Sequence, residues 1–194
     1  MKTPLYYFCT LLLAGGLSLH ADEVLISKDH NNGGFESEEL SPWMTNSGEP
    51  GITRETATVK EGKGAARVSL TGKPDGRASG RLFQNVDATA QGGRHFTIAM
   101  DVQVPPEAGT PRLHTEIVFL RDSGPKVVTF SNAEINPGGE WQHVELLGAE
   151  PAPEDWAEGK IQIRVAFYVD HGESTQTYEA LVDNVDFIQS EKTP

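Results

Sequence analysis

The chain has 194 residues, of which 37% are hydrophobic, 16 are lysine or arginine and 28 are aspartate or glutamate, for a formal net charge of −12. That length suffices for one domain with a core of its own. A surface this acidic repels nucleic acid and anionic membranes, which excludes nucleic-acid binding and suits a cation or a neutral ligand.

The first segment is set apart from the fold. Lys2, the apolar run over residues 5–19 and Ala21 read as a secretory signal peptide, residues 1–21, cut before Asp22. The run is short for a membrane span and holds Gly15, Gly16 and Ser18. It predicts a secreted or periplasmic protein, no membrane attachment after cleavage, and a mature single domain over residues 22–194. The one cysteine, Cys9, lies inside this segment. The mature chain therefore has no disulfide, which is unusual for a small exported domain.

The elements follow in order. Residues 24–26 read as a first strand. Residues 29–51 form a loop rich in Asn, Gly, Ser, Glu and Pro, carrying Phe35, Leu40 and Trp43. Its Asn31, Asn32, Gly33 and Gly34 permit positive φ and close backbone approach. Strands are predicted over 52–59, over 65–70 with Ala66, Val68 and Leu70 on one side, and over 81–86. The clearest alternation is Phe96, Ile98, Met100, Val102 and Val104, ended by Pro105 and Pro106. Over 112–119, Leu113, Ile117 and Phe119 take one side, and Arg112, His114 and Glu116 the other. Short strands follow over 127–130 and 141–147, separated by the turn 136–139. After an acidic, Pro-rich loop with Trp156, the positions Ile161, Ile163, Val165, Phe167 and Val169 alternate with Gln162, Arg164, Ala166, Tyr168 and Asp170. The last strand spans 178–188. There is no useful run of helical periodicity, so short strands between Gly/Pro turns predict an all-β sandwich or barrel.

The motif series Asn32-Gly33-Gly34-Phe35-Glu36 with Trp43, Glu61-Gly62-Lys63-Gly64-Ala65, Gln84-Asn85-Val86, Gly139-Glu140-Trp141 and Val182-Asp183-Asn184-Val185 resembles the CenC-type carbohydrate-binding modules of families four, nine and twenty-two. The likeness runs through nearly the whole mature chain in the same order. It implies a galactose-binding-like jelly roll, a structural calcium ion and a polysaccharide or oligosaccharide ligand such as a β-glucan or xylan. It also implies a partner glycoside hydrolase, because such modules normally accompany a catalytic domain.

Two sites are expected. If the last strand is regular, Asp183 shares the core-facing parity of Leu181, Val185 and Phe187, and a buried carboxylate needs a partner. Ca²⁺ takes six to eight oxygens. Glu36, Glu61 and the carbonyl of Lys63 can add ligands, at the positions where the resemblance also implies calcium. The alternative is that Glu36 and Glu61 are solvated and Asp183 accepts hydrogen bonds from backbone amides. The second site is the polar face carrying Arg112, His114, Glu116, Gln162, Arg164 and Tyr168, walled by Trp43 and Trp156. Sugars need such hydrogen-bonding groups and aromatic surfaces; a solvated sheet face with an Arg164–Glu116 ion pair reads equally well. Trp43 itself reads as packing or as ligand contact.

No catalytic residue is assigned. The histidines lack metal-ligand spacing, there is no Gly-x-Ser-x-Gly elbow, and the acidic cluster Glu36, Glu38 and Glu39 reads as a turn and not a hydrolase pair. The enzymatic alternative is a glycoside hydrolase or a polysaccharide lyase. A lyase would use His114 or Tyr168 as base with Arg112 or Arg164 against a uronate. A third class is a cell-surface or matrix adhesion protein on the same fold.

Overall fold

A computed structural model describes residues 22–47, 50–88, 94–121, 124–147 and 159–191. The expected signal segment and Trp156 lie outside the described residues. Among the described residues, eleven strands follow in chain order. They are β1 (Glu23–Ile26), β2 (Met44–Ser47), β3 (Pro50–Glu55), β4 (Ala65–Thr71), β5 (Arg77–Ala88), β6 (Arg94–Gln103), β7 (Arg112–Arg121), β8 (Gly124–Ala133), β9 (Gln142–Leu147), β10 (Gly159–Asp170) and β11 (Thr177–Glu191). They form two antiparallel sheets, one ordered β3-β4-β11-β6-β9 with β1 added against β11, the other β2-β5-β10-β7-β8. The expected all-β sandwich is the fold.

The core lies between the sheets. Val68 and Leu70 of β4, Ile98, Met100 and Val102 of β6, and Val182 and Phe187 of β11 face Leu82 of β5, Leu113 and Ile117 of β7, and Ile163, Val165 and Phe167 of β10. The Phe96 and Phe187 rings stack with centroids 5.1 Å apart. Burying each large side chain contributes about 1.5–3 kcal/mol, which is how a chain without disulfides in its described part holds together.

Several elements differ from the sequence expectation: β5 (Arg77–Ala88) and β8 (Gly124–Ala133) run longer than the predicted 81–86 and 127–130. β3 stops at Glu55 and does not continue to residue 59. The Glu55 carboxylate accepts hydrogen bonds from the amides of Thr56 (2.8 Å) and Ala57 (2.6 Å), turning the chain there. β2 falls inside the segment expected to be loop. Its side chains are mostly exposed, so it has no apolar alternation, and only its pairing with β5 makes it a strand.

The loop between β1 and β2 ties the two sheets together. The Val185 amide donates to the Gly33 carbonyl at 2.8 Å. A Cβ on Gly33 would lie 2.3 Å from the Val185 carbonyl oxygen, so only glycine fits. Asn31 and Asn32 take φ values of 55° and 54°. Asn31 offers its carbonyl to Gln84 of β5 (2.9 Å), and the Asn32 side chain holds Ser37 and Ser41. Trp43 is buried, packs against Phe35 at 5.8 Å between ring centroids, and donates its indole N–H to the Asn32 carbonyl at 3.0 Å.

Candidate functional site

The outer face of the five-stranded sheet gathers the polar positions of β5, β7 and β10. Alternation sends Leu82, Leu113 and Val165 inward, so Arg81, His114 and Arg164 point outward. The register places these outward residues in rows that cross the strands. One row runs Asn46, Arg81, Ala166, His114, Asn132 across all five strands. The next runs Met44, Phe83, Arg164, Glu116. On the other side, Ser79, Tyr168 and Arg112 form a third. Ala166, the smallest outward residue, lies between Arg81 and His114 and leaves the middle of the face low.

Polar contacts fix these side chains. Arg164 donates to Glu116 at 2.9 Å and to Gln162 at 2.5 Å, and Gln162 donates to Asn85 at 2.8 Å. His114 has Nδ1 2.9 Å from Asn132 Oδ1 and Nε2 3.2 Å from Glu116 Oε1. Burial works to raise the Glu116 pKa, but the hydrogen bonds from Arg164 and His114 and the charge of Arg81 hold it below the ordinary glutamate value. Arg77 lies over the Tyr168 ring and pairs with Asp170 at 2.6 Å. Tyr168 and His114 meet edge to face at 6.3 Å. Beside them a depression of about 440 Å³ is lined by Arg112, Asn132, Glu134 and Tyr168, among others.

The structure thus brings together Arg112, His114, Glu116, Gln162, Arg164 and Tyr168 on one face. It does not bring Trp43 to it: that ring is 4% exposed, and its N–H is spent inside the N-terminal loop. Packing decides between the two readings of Trp43. Phe83, half-buried in the second row, is an aromatic group of this face that sequence reasoning missed. The available signal was an aromatic residue sharing the parity of Arg81 and Asn85 within β5.

The four expected cation ligands lie beside the middle of β11, at its bulge, each with a partner inside the protein. Asp183 accepts from the amides of Lys60 (2.9 Å), Glu61 (3.1 Å) and Asn184 (2.8 Å). Glu36 accepts from the Lys63 amide at 3.0 and 3.1 Å. The Glu61 carboxylate pairs with Lys28 at 2.5 Å. The Lys63 carbonyl accepts from Arg54 Nη2 at 3.0 Å, while Arg54 Nε donates to the Phe35 carbonyl at 3.1 Å. A guanidinium therefore stands against two carbonyl oxygens, and N–H donors face all three carboxylates. That donor set does not fit a calcium shell, which needs oxygens turned toward one point. The regular-strand premise for Asp183 also fails. A bulge between Asp183 and Asp186, with Asn184 at φ 49°, shifts the core-facing parity from Ala180 and Val182 to Val185 and Phe187. Asp183 sits at that switch. Burial raises its pKa, the three amide hydrogen bonds oppose the rise, and the charge of Glu36 adds to it.

No protein-family model matches the chain, and no curated protein matches it. Solved structures do. A structure of TmCBM61 in complex with β-1,4-galactotriose is 18% identical, covers 88% of this chain and 99% of its own, and superposes with a TM-score of 0.58. The family 11 carbohydrate-binding module from Clostridium thermocellum, in complex with a β-1,3-1,4-mixed-linked tetrasaccharide, gives 15%, 89%, 98% and 0.53. This chain has the β-sandwich fold of those modules. A Stig cyclase from Fischerella sp. shares that fold as well, at 15% identity, covering 89% of this chain and 100% of its own, with a TM-score of 0.61. At these identities the likeness is one of fold, and the side chains have to carry the rest.

Proposed function

We propose that this protein binds polysaccharide, as the CenC resemblance implies, and that it does so without catalysis through the outer face of its five-stranded sheet. The observation that carries the reading is the set of transverse rows. They align donors and acceptors (Asn46, Arg81, His114, Asn132, Arg164) with the rings of Phe83 and Tyr168 on one continuous face. A sugar chain offers hydroxyls for the former and C–H surfaces for the latter. The oligosaccharides held by the two similar modules support it. Residues 1–21, as a cleaved export signal, would deliver the domain outside the cytoplasm, where such chains occur. A glycoside hydrolase is the partner such a module would serve.

The test is affinity electrophoresis of the purified protein in gels containing soluble β-1,4-galactan, mixed-linkage β-glucan, xylan or acidic polymers. Retardation by at least one is expected; passage through all of them without retardation would sink the reading. A second reading, a lyase, is favoured by the convergence of Tyr168 and His114 on Asn132, with Arg112 beside them. The same incubations are read for unsaturated uronate and for new reducing ends, either of which would move the assignment to an enzyme.

A further inference from the structure

Resting on the binding reading above, we propose that the polymer this face takes is acidic, bearing uronate carboxylates or ester sulfates. Although the chain carries a net charge of −12, this face collects Arg77, Arg81, Arg112 and Arg164 around the carboxylates Glu116 and Asp170, while Asp87 stands apart at the far end of β5, opposite Lys160. Each of those carboxylates already has its own arginine, Glu116 with Arg164 and Asp170 with Arg77. Arg81 and Arg112 are left with no ion pair among the described residues. Glu134 lines the depression beside Arg112 without pairing to it.

Arg81 is the sharper case. Its Nε is buried with no hydrogen-bond acceptor, and a buried donor without a partner is costly unless a ligand supplies one. A guanidinium offers five donors and no acceptor, in a planar fork that matches carboxylate and sulfate oxygens. A neutral sugar hydroxyl accepts from such a fork, but a carboxylate or sulfate also supplies the opposing charge. Arg81 and Arg112 flank β10 from opposite sides, opposite Ala166 and Tyr168. From strand spacing and residue rise their Cα atoms stand about 12 Å apart. Two guanidiniums without an ion pair among the described residues, on one continuous face, suit successive charges along a polyanion.

The experiment compares polygalacturonate, a carrageenan, β-1,4-galactan and mixed-linkage β-glucan, each with the wild-type protein and with Arg112→Gln and Arg81→Gln. Arg112 is exposed, so its variant keeps the fold; melting curves check the Arg81 variant. Retardation by an acidic polymer is expected, weakening about tenfold or more as salt is raised to about 0.5 M. The uronate and sulfate arms identify which anion is read. Arg112→Gln is expected to lower acidic-polymer affinity about tenfold. Retention by neutral polymers alone, or acidic binding indifferent to both salt and Arg112→Gln, overturns the charge inference and leaves polysaccharide binding standing. Retention by no polymer removes the binding reading itself.

Discussion

The Arg77 guanidinium carbon lies 4.6 Å from the centroid of the Tyr168 ring. One face of the main aromatic group of the site is thereby covered by a cation, which Asp170 holds in place. Sugar stacking at Tyr168 is confined to what Arg77 leaves open, and Phe83, two rows away across the Arg81–Ala166–His114 row, becomes the second stacking surface. Tyr168→Ala and Phe83→Ala are each expected to weaken polysaccharide binding about tenfold, the scale of one aromatic contact. Titration by calorimetry checks this. Unchanged affinity in both variants would move the site off this face.

Glu116 restrains the positive charge of the face by holding Arg164 and His114. Glu116→Gln keeps the shape and removes the carboxylate charge. Affinity for acidic polymers is expected to rise a few-fold, with neutral polymers unaffected, because Arg164 is released to the ligand. A fall in acidic-polymer affinity would show that Glu116 serves the ligand by orienting Arg164.

On the opposite sheet, Arg67 joins Glu55 (2.7 Å) and Glu179 (2.6 Å). The Glu55 pKa is lowered to about 2, first by the hydrogen bond from the Ala57 amide and then by Arg67 and the Thr56 amide, against the opposing effect of burial. Its folded pKa lies below its unfolded one. The stability it contributes is therefore complete above about pH 4.5 and is lost as pH falls through about 2. Glu55→Gln is expected to cost about 2 kcal/mol at neutral pH. The gap to wild type should close as the pH approaches 2. Asp183 and Asp186 have raised values from burial and act in the opposite direction, gaining on acidification. Melting curves of the variant and wild type across pH 2–7 separate the two; a constant gap would contradict the assignment.

Asp183 holds the β3–β4 turn to β11 through backbone amides. Asp183→Ala leaves those buried donors unmatched and is expected to cost about 3 kcal/mol, at roughly 1–3 kcal/mol per unsatisfied group. For a domain of this size that lowers the Tm by about 6–12 °C. Because amides and Arg54 already satisfy the clasp, chelator is expected to leave the wild-type Tm unchanged. A Tm that falls in chelator and recovers with Ca²⁺ would put the ion back among Glu36, Glu61, Lys63 and Asp183.

Much of this was legible in the chain. The alternation of Phe96 to Val104 and of Ile161 to Val169 sets two strands with one buried face each, because side chains alternate across a pleat. The same alternation put Arg112, His114 and Glu116, and Gln162, Arg164 and Tyr168, on outward faces. β2 was illegible because an exposed edge strand has no apolar period. The parity of Asp183 was misread because a bulge at a positive-φ Asn leaves little trace in composition.

The sequence by itself determined an all-β chain and the outward parity of the polar residues on β7 and β10, since both follow from local periodicity. Only the tertiary structure decided that those strands are neighbours, with Arg81 and Phe83 of β5 on their other side. It alone turned Trp43 inward and left the Arg81 Nε without an acceptor among the described residues. Those outcomes depend on which strands pair and in what register, a choice made by long-range packing between residues far apart in the chain.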